Sequence, residues 1–428
     1  MIGPGEGHSM PPSLPDLIRV FARIGVLSFG GPAAQIALMH RELVEQRGWL
    51  SDADYLRALS FCMMLPGPEA MQLATYSGWR LRGTLGGLIA GGLFVLPGAG
   101  LILALAMAYA AYGALPLASA LLLGVQAAVL AIVVQALWKL SKRALKGRLH
   151  NALAIAAFLA LFAFNIPFPV VVLGAGVIGY LVGSLASITP APQPQPPFPW
   201  GQTLRPAALW GAIWLAPLAA LWQFEGGFLF EIGLLFSKLA ALTFGGAYAV
   251  LAWLSQTIVQ DLGWLTAPQM IDALGLAETT PGPLILVTEF VAYLAGHGKG
   301  GISLGLAAAA TALWMTFAPC FLWIFAGAPL IGRLEHAPRL SQALAAITAA
   351  VVGVIANLSL WFALHVLFGQ LNRLQIGPIE VIAPQLSSLN PFAAALALLA
   401  AALLLWRGWG LAQTLALCAA LGAASALW

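Results

Sequence analysis

Gly91-Gly92-Leu93-Phe94-Val95-Leu96-Pro97-Gly98-Ala99-Gly100-Leu101-Ile102-Leu103-Ala104-Leu105-Ala106 forms the middle of an uncharged apolar run over residues 85–110. Crossing a hydrocarbon core of about 30 Å takes about 20 residues as helix, and this run is long enough. A barrel strand would alternate apolar and polar residues; here the apolar text is continuous, so the spacing predicts helix. Working outward, runs of the same kind occur at 117–138, 153–185 (divided near Asn165-Ile166-Pro167), 207–222, 301–331, 344–368 and 391–428 (divided at Arg407-Gly408). The expected fold is an all-α integral membrane protein.

Composition agrees. Of 428 residues, 61% are hydrophobic and 8% charged, against about 25% charged in soluble domains. That balance cannot cover a water-facing surface, so a lipid bilayer is the expected partner. A formal charge of +4 is too small for a nucleic-acid binder. Cys62, Cys320 and Cys418 lie scattered in apolar text and make neither a disulfide framework nor a metal site. Gly3-x-Gly5-x-Gly7 has no strand before it and no value as a nucleotide motif. Neither a Walker sequence nor a nucleophile elbow occurs, and no cofactor or redox-cysteine motif supports an enzyme. Residues 1–13 lack the basic stretch and apolar core of a signal peptide and read as a disordered leader.

The chain repeats itself. Phe21-Ala22-Arg23 with Ser28-Phe29-Gly30-Gly31 matches Phe236-Ser237-Lys238 with Thr243-Phe244-Gly245-Gly246. Gly48-Trp49-Leu50-Ser51 matches Gly263-Trp264-Leu265-Thr266, and Pro66-Gly67-Pro68 matches Pro281-Gly282-Pro283. Each pair stands 215 positions apart, and the offset becomes 222 at Pro97 and Pro319. The expected organisation is a first repeat over 14–186, a proline-rich linker over 187–202, a connecting helix over 203–224 and a second repeat over 225–428.

Basic residues mark cytoplasmic loops. Lys139, Lys142, Arg143, Lys146 and Arg148 cluster without an acid, whereas the corresponding loop from His365 to Arg373 carries only Arg373. Arg41, Arg47 and Arg57 also have no basic counterpart over 257–272, while Arg333 and Arg339 answer an uncharged first-half loop. The halves therefore read as an inverted repeat with a cytoplasmic N-terminus. Nine full spans with re-entrant hairpins and thirteen spans both remain open. Inverted repeats with broken helices are a common plan of secondary transporters, with the substrate held at the repeat interface.

In each half two helices are interrupted. The breaks lie at Ser28-Phe29-Gly30-Gly31-Pro32, at Leu65-Pro66-Gly67-Pro68-Glu69, at Thr243-Phe244-Gly245-Gly246 and at Thr280-Pro281-Gly282-Pro283. Glycine permits backbone angles that a helix forbids, and proline starts a new helix at no hydrogen-bond cost. A helix beginning there aims free N–H groups and a positive dipole end into the gap, which suits an anion. Arg23 and Lys238, a matched basic pair in apolar text, are expected to attract that anion. Gln35, Gln72 and Thr75 are candidate hydrogen-bond donors to its oxygens, with helix-to-helix bonding as the alternative. Glu69 could cap its helix or handle protons, and Glu289 is a second proton-coupling candidate. The charged stretch from His40 to Arg47 reads as a solvated face.

The text Phe29-Gly30-Gly31-Pro32-Ala33-Ala34-Gln35-Ile36-Ala37, Gly48-Trp49-Leu50 and Leu65-Pro66-Gly67-Pro68-Glu69-Ala70-Met71-Gln72-Leu73-Ala74-Thr75-Tyr76 resembles the chromate ion transporter family. Gly78-Trp79-Arg80 and Phe94-Val95-Leu96-Pro97-Gly98 continue the pattern, and the resemblance runs from about Leu14 to the C-terminus. It implies a multi-pass protein of the bacterial inner membrane that exports chromate, driven by the proton-motive force, and so confers chromate resistance. No cofactor is implied. Sulfate, also a tetrahedral dianion, is the natural competitor. Transport of sulfate or another oxyanion, an uncoupled anion channel, and assembly as a homodimer stay open. Thr280-Pro281-Gly282-Pro283-Leu284 lacks the acid found at Glu69, so any acidic role is asymmetric.

Overall fold

The chain folds into helices wherever its apolar runs predict them. The computed structural model describes residues 12–186, 200–224, 227–244, 246–331, 337–377 and 379–426. The leader through Pro11, the linker from Pro190 to Pro197, Gly245 and Arg333 lie outside the described residues. Helix α1 (Leu14–Leu27) starts where Ser13 accepts the N–H of Asp16, with proline in its first turn, where the missing N–H costs nothing. It is followed by α2 (Gly31–His40), which runs into a π turn (Arg41–Glu45), and by α3 (Asp52–Cys62).

Helix α4 (Glu69–Tyr112) is two arms. Arg82 and Gly83 leave helical geometry, Gly83 with φ 61°, and the chain folds back on itself. A Cβ placed on Gly78 would lie 2.2 Å from the Gly86 carbonyl oxygen, and one on Gly91 2.3 Å from Thr75 Oγ1. Only glycine permits so close an approach of two helices. The first arm, 69–82, rises about 21 Å at 1.5 Å per residue. That is short of a bilayer core of about 30 Å. The second arm holds the apolar run 85–110.

Then come α5 (Pro116–Ala144), α6 (Arg148–Phe164), α7 (Phe168–Ala186), α8 (Trp200–Phe224), α9 (Phe228–Leu242), α10 (Ala247–Ser255) with a π turn (Gln256–Asp261), and α11 (Ala267–Glu278). A 3-10 turn (Leu284–Leu286) precedes α12 (Val287–Gly327), which folds back at Gly300-Gly301 as α4 does at Arg82-Gly83. After α13 (Pro338–Leu367) a hairpin of β1 (Leu371–Ile376) and β2 (Ile379–Pro384) pairs Arg373 with Ile382. Helices α14 (Pro391–Leu405) and α15 (Leu411–Ser425) complete the described chain. The hairpin is an addition to the expected all-α plan; its two short strands escape notice between long apolar helices.

Contacts divide the chain into two units, each assembled from discontinuous stretches. The first comprises Met1–Leu105, Pro192–Gly246 and Thr280–His336. In it α12 packs along α8 and α9. Only 6% of the apolar window of α8 is buried, and Trp200, Leu204, Leu209, Leu215 and Trp222 lie exposed, as on a lipid-facing helix. The second unit comprises Ala106–Ala191, Ala247–Thr279 and Ala337–Trp428. There α13 lies against α5, α6 and α7, while α14 and α15 lie against α5. Its core is built from small residues: Ala157, Ala175, Ala346, Ala349 and Ala350 with Leu153. A Cβ on Gly353 would sit 2.0 Å from the Ala154 carbonyl oxygen. Such close approach replaces hydrophobic driving force in membrane helices with tight van der Waals packing.

Among the described residues five helices are long and apolar enough to cross a membrane, the two folded helices counted once each. The chain is a multi-pass all-α membrane protein. Its repetition is also visible in local geometry. Ser51 caps α3 on the N–H of Asp54, and Thr266, 215 positions on, caps α11 on Gln269. Trp49 donates to the Leu43 carbonyl at 2.8 Å, and Trp264 to Ile258 at 2.9 Å. The motif shared by 48–51 and 263–266 is thus a loop that leaves a π turn and starts a capped helix.

Candidate functional site

All four breaks fall in the first unit. Helix α1 ends at the first, where buried Ser28 returns its hydroxyl to the Ile24 carbonyl at 2.6 Å. Helix α9 ends at the third, where buried Thr243 does the same to Leu239. Hydroxyls bonded back one turn satisfy the last carbonyls of a helix that must stop inside apolar surroundings.

The breaks are strapped together crosswise. The N–H of Gly67 in the second donates to the Thr243 carbonyl in the third at 2.9 Å. The N–H of Gly282 in the fourth donates to the Ser28 carbonyl in the first at 3.0 Å. Each bond joins one repeat to the other, and the second is the first displaced by 215 residues at both ends. Gly67 and Gly282 hold φ of 111° and 91°, a region that disfavours any side chain. Around them space is tight. A Cβ on Gly67 would lie 3.0 Å from Gln72 Nε2 and 3.3 Å from Cys320 Sγ, and one on Gly282 3.0 Å from Leu286 Cδ1. A Cβ on Gly98 would lie 2.2 Å from the Pro281 carbonyl oxygen, so the second arm of α4 presses on the fourth break.

Gln35 and Gln72 brace this arrangement. Gln35 Nε2 donates to Gly282 O at 2.6 Å and to Ser28 O at 3.1 Å, and Gln72 Nε2 donates to Pro66 O at 2.6 Å. Because their partners are carbonyls, the amide nitrogens must face them, which fixes the flip of both side chains. Gln35 thus links the first and fourth breaks, and Gln72 bonds within the second. Their Oε1 atoms have no hydrogen-bond partner among the described residues. Thr75 bonds back to Met71 O at 3.0 Å.

Gly30, Gly31 and Gly246 are roomier. A Cβ on Gly31 or on Gly246 would meet nothing within 4 Å, and one on Gly30 only Ala34 Cβ at 3.3 Å. Open space therefore adjoins the first and third breaks, while the second and fourth are packed. Pro66 and Thr280 are buried, and Glu69, the first residue of α4, is half-buried. Glu289 on α12 is 3% exposed, and its Oε2 has no hydrogen-bond partner among the described residues.

The two basic residues lie on helix surfaces. Lys238 is exposed, and the Arg23 side chain is 57% exposed with Nε 3.7 Å from a Glu42 oxygen. Glu42 is 1% exposed and also paired with Arg47. The stretch read as a solvated face thus has a buried carboxylate at its heart, which the alternating charges around it concealed. The second unit contains two more carboxylates that sequence reasoning did not single out. Asp272, 3% exposed, accepts from Tyr109 Oη and Gln126 Nε2, each at 2.8 Å. Buried Glu278 accepts from Tyr248 Oη at 2.7 Å. Their partners lie up to 163 positions away, so no local pattern exposes them. Cys62, Cys320 and Cys418 are free and buried.

Comparison with known proteins bears on what such a site handles. A family model described as Chromate transporter matches residues 15–180 and 230–423. The Chromate transport protein of Cupriavidus metallidurans is 32% identical over 361 residues, covering 82% of this chain and 84% of that protein. The Probable chromate transport protein of Synechococcus elongatus is 32% identical over 349 residues, covering 81% and 83%. The Uncharacterized transporter YwrB of Bacillus subtilis is 33% identical over 136 residues, which is 31% of this chain and 67% of that protein. No solved structure matches.

Proposed function

The chain belongs to the chromate transporter family, and we propose that it is a secondary transporter that carries chromate out across the bacterial inner membrane, drawing on the proton-motive force and conferring chromate resistance. It is a transporter rather than an enzyme. The observation that carries the proposal is the crosswise pair of bonds, Gly67 to Thr243 and Gly282 to Ser28. A reciprocal exchange of this kind joins two repeats related by a pseudo-two-fold axis. It supports the inverted-repeat organisation, with repeats over 14–186 and 225–428, and the substrate at the repeat interface. The similarity of 136 residues to most of a much shorter transporter also favours duplication of a unit of roughly half this length.

In this reading the anion sits in the open space beside Gly30-Gly31 and Gly246, facing N–H groups at helix starts that neutralise it without a buried lysine. Ser28, Gln35, Thr243, Thr280 and the Pro66-Gly67 and Gly282 segments shape that space. Gln35 and Gln72 act by holding the breaks, and Arg23 and Lys238 add attraction from the surface. One repeat rocks against the other about the strapped breaks. Glu289, buried with one oxygen unpartnered among the described residues, carries the coupled proton, and Glu69 starts its helix with a carboxylate that favours the dipole. The N-terminus is cytoplasmic in this orientation.

Uptake of radiolabelled chromate into inverted vesicles, with and without a proton gradient and with excess sulfate, tests the proposal. Gradient-dependent accumulation, reduced by sulfate, is the expected result. Entry of labelled sulfate alone would move the substrate to another tetrahedral oxyanion. Rapid equilibration indifferent to the gradient would replace the carrier by an anion channel.

A further inference from the structure

The second unit contains a pocket of about 460 Å³ lined by α6, α10 with its π turn, α13 and the β1-β2 hairpin, and none of the four breaks contributes to it. That size suits a small ligand. Its polar lining comprises four amide side chains, Asn165, Gln256, Gln260 and Asn357, together with Ser255, His365, Arg373 and Asp261. Ser255 is 2% exposed, and its hydroxyl has no hydrogen-bond partner among the described residues. Helical hydroxyls can bond back one turn, as Ser28, Thr311, Thr348 and Ser359 do here. Ser255 forgoes that bond at the point where the helix widens into a π turn, a departure frequent at functional sites. A buried hydroxyl left unpaired is costly, and a ligand accepting from it would recover that loss.

We propose that this pocket is a second oxyanion site, which holds a tetrahedral dianion through neutral donors and Arg373. The proposal rests on the reading of the chain as an oxyanion transporter. Amide and hydroxyl donors can surround four oxygens in any orientation, and a guanidinium supplies charge-assisted bonds. His365 Nδ1 lies 2.8 Å from the Trp361 carbonyl oxygen, so that nitrogen is engaged and the ring is held beside the pocket. Asp261, exposed at the mouth, opposes the anion and keeps the site weak. The pocket exceeds a bare oxyanion in size, so the ion rests there with part of its water shell, as in a vestibule rather than a tight site.

Gln260 is exposed and the three native cysteines are buried, so Gln260→Cys gives a single reactive thiol at the pocket mouth. Its modification by a charged methanethiosulfonate is timed in detergent with sulfate or molybdate, two non-oxidising tetrahedral dianions, and with chloride at equal ionic strength. The dianions are expected to slow modification at least threefold, and adding Arg373→Gln or Ser255→Ala should abolish or halve that protection. Equal rates in all three salts overturn the pocket, whatever vesicle uptake shows. Protection without chromate or sulfate uptake would retain the pocket and remove the transport reading instead.

Discussion

Gly67 donates its N–H to the carbonyl of Thr243 at 2.9 Å, and Gly282 repeats the bond to Ser28 at 3.0 Å. Both glycines hold positive φ in tight surroundings, so an added methyl strains the backbone by about 1–3 kcal/mol and displaces a strap. Gly67→Ala and Gly282→Ala should each lower the melting temperature of the detergent-solubilised protein, by similar amounts, and reduce chromate uptake at least tenfold. A large loss at one glycine with none at the other would show that the two straps are not equivalent.

Gly31 and Gly246 should behave differently. A side chain at either enters open space, so it fills the volume assigned to the anion without pushing on a helix. Gly31→Leu and Gly246→Leu are expected to abolish transport while the protein still reaches the membrane in normal amount, as seen by immunoblot of membrane fractions. Strain from φ of 78° and 95° will lower stability in both, so the decisive reading is uptake per folded molecule. Near-normal uptake in both variants would remove the breaks from the substrate site.

Gln35 bonds two carbonyls from two breaks. Gln35→Leu leaves Gly282 O without that donor, a loss of about 1–3 kcal/mol. Gln35→Glu sets a carboxylate against two carbonyl oxygens and should be worse, although the shape is nearly unchanged. Thermal melts of the three proteins check the order wild type, Leu, Glu; a Glu variant as stable as wild type would mean that the amide does not brace the breaks.

His40 lies between Asp52, 2.7 Å from Nε2, and Glu45, 3.1 Å from Nδ1. The hydrogen bond to Asp52 is the largest cause of a pKa raised above the usual 6.5; burial opposes it, and the hydrogen bond to Glu45 adds a smaller push upward. A raised value means that folding is favoured by protonation. The contribution is complete below about 6.5 and fades as pH rises through the folded-state pKa. The melting temperature of wild type minus that of His40→Ala should therefore shrink between pH 6 and pH 8.5. A difference that is flat or grows with pH would show that the charged ring does not clip the π turn to α3. The effect will be modest because solvent reaches the site.

The helices were legible because lipid demands unbroken apolar runs: the runs at 117–138 and 207–222 lie within α5 and α8, and the run at 344–368 lies within α13 but for its last residue, Phe368. The positions of the breaks were legible too, since glycine and proline punctuate them and the repeat offset doubles the signal. What the breaks bond to was not. Nothing local in Gly67 names Thr243 as its acceptor, and the glutamines that brace the first and second breaks have no counterparts in the second repeat, where Val250 and Val287 stand. Asp272 and Glu278 escaped because each sits singly in apolar text and finds its tyrosine through tertiary packing. The fold-back at Gly83 escaped because a single glycine between Arg82 and Thr84 does not by itself distinguish a reversal from a continuing helix.

Glu289 supplies the sharpest test of coupling. It lies in the unit that contains the breaks, 3% exposed, with one oxygen unpartnered among the described residues. A structural carboxylate so placed would be expected to have both oxygens bonded, as unpaired buried polar groups are costly. Glu289→Gln keeps the volume and removes the titration. If the side chain carries the coupled proton, the variant should still exchange labelled for unlabelled chromate across vesicles, because exchange needs no net proton movement. Accumulation driven by a proton gradient should fall at least tenfold, and Glu289→Asp should restore part of it. Glu69→Gln is the matched comparison: a carboxylate that serves only its helix start should lower stability and spare the ratio of accumulation to exchange. Accumulation unchanged in Glu289→Gln would assign the proton to another buried carboxylate, with Asp272 and Glu278 the next to replace.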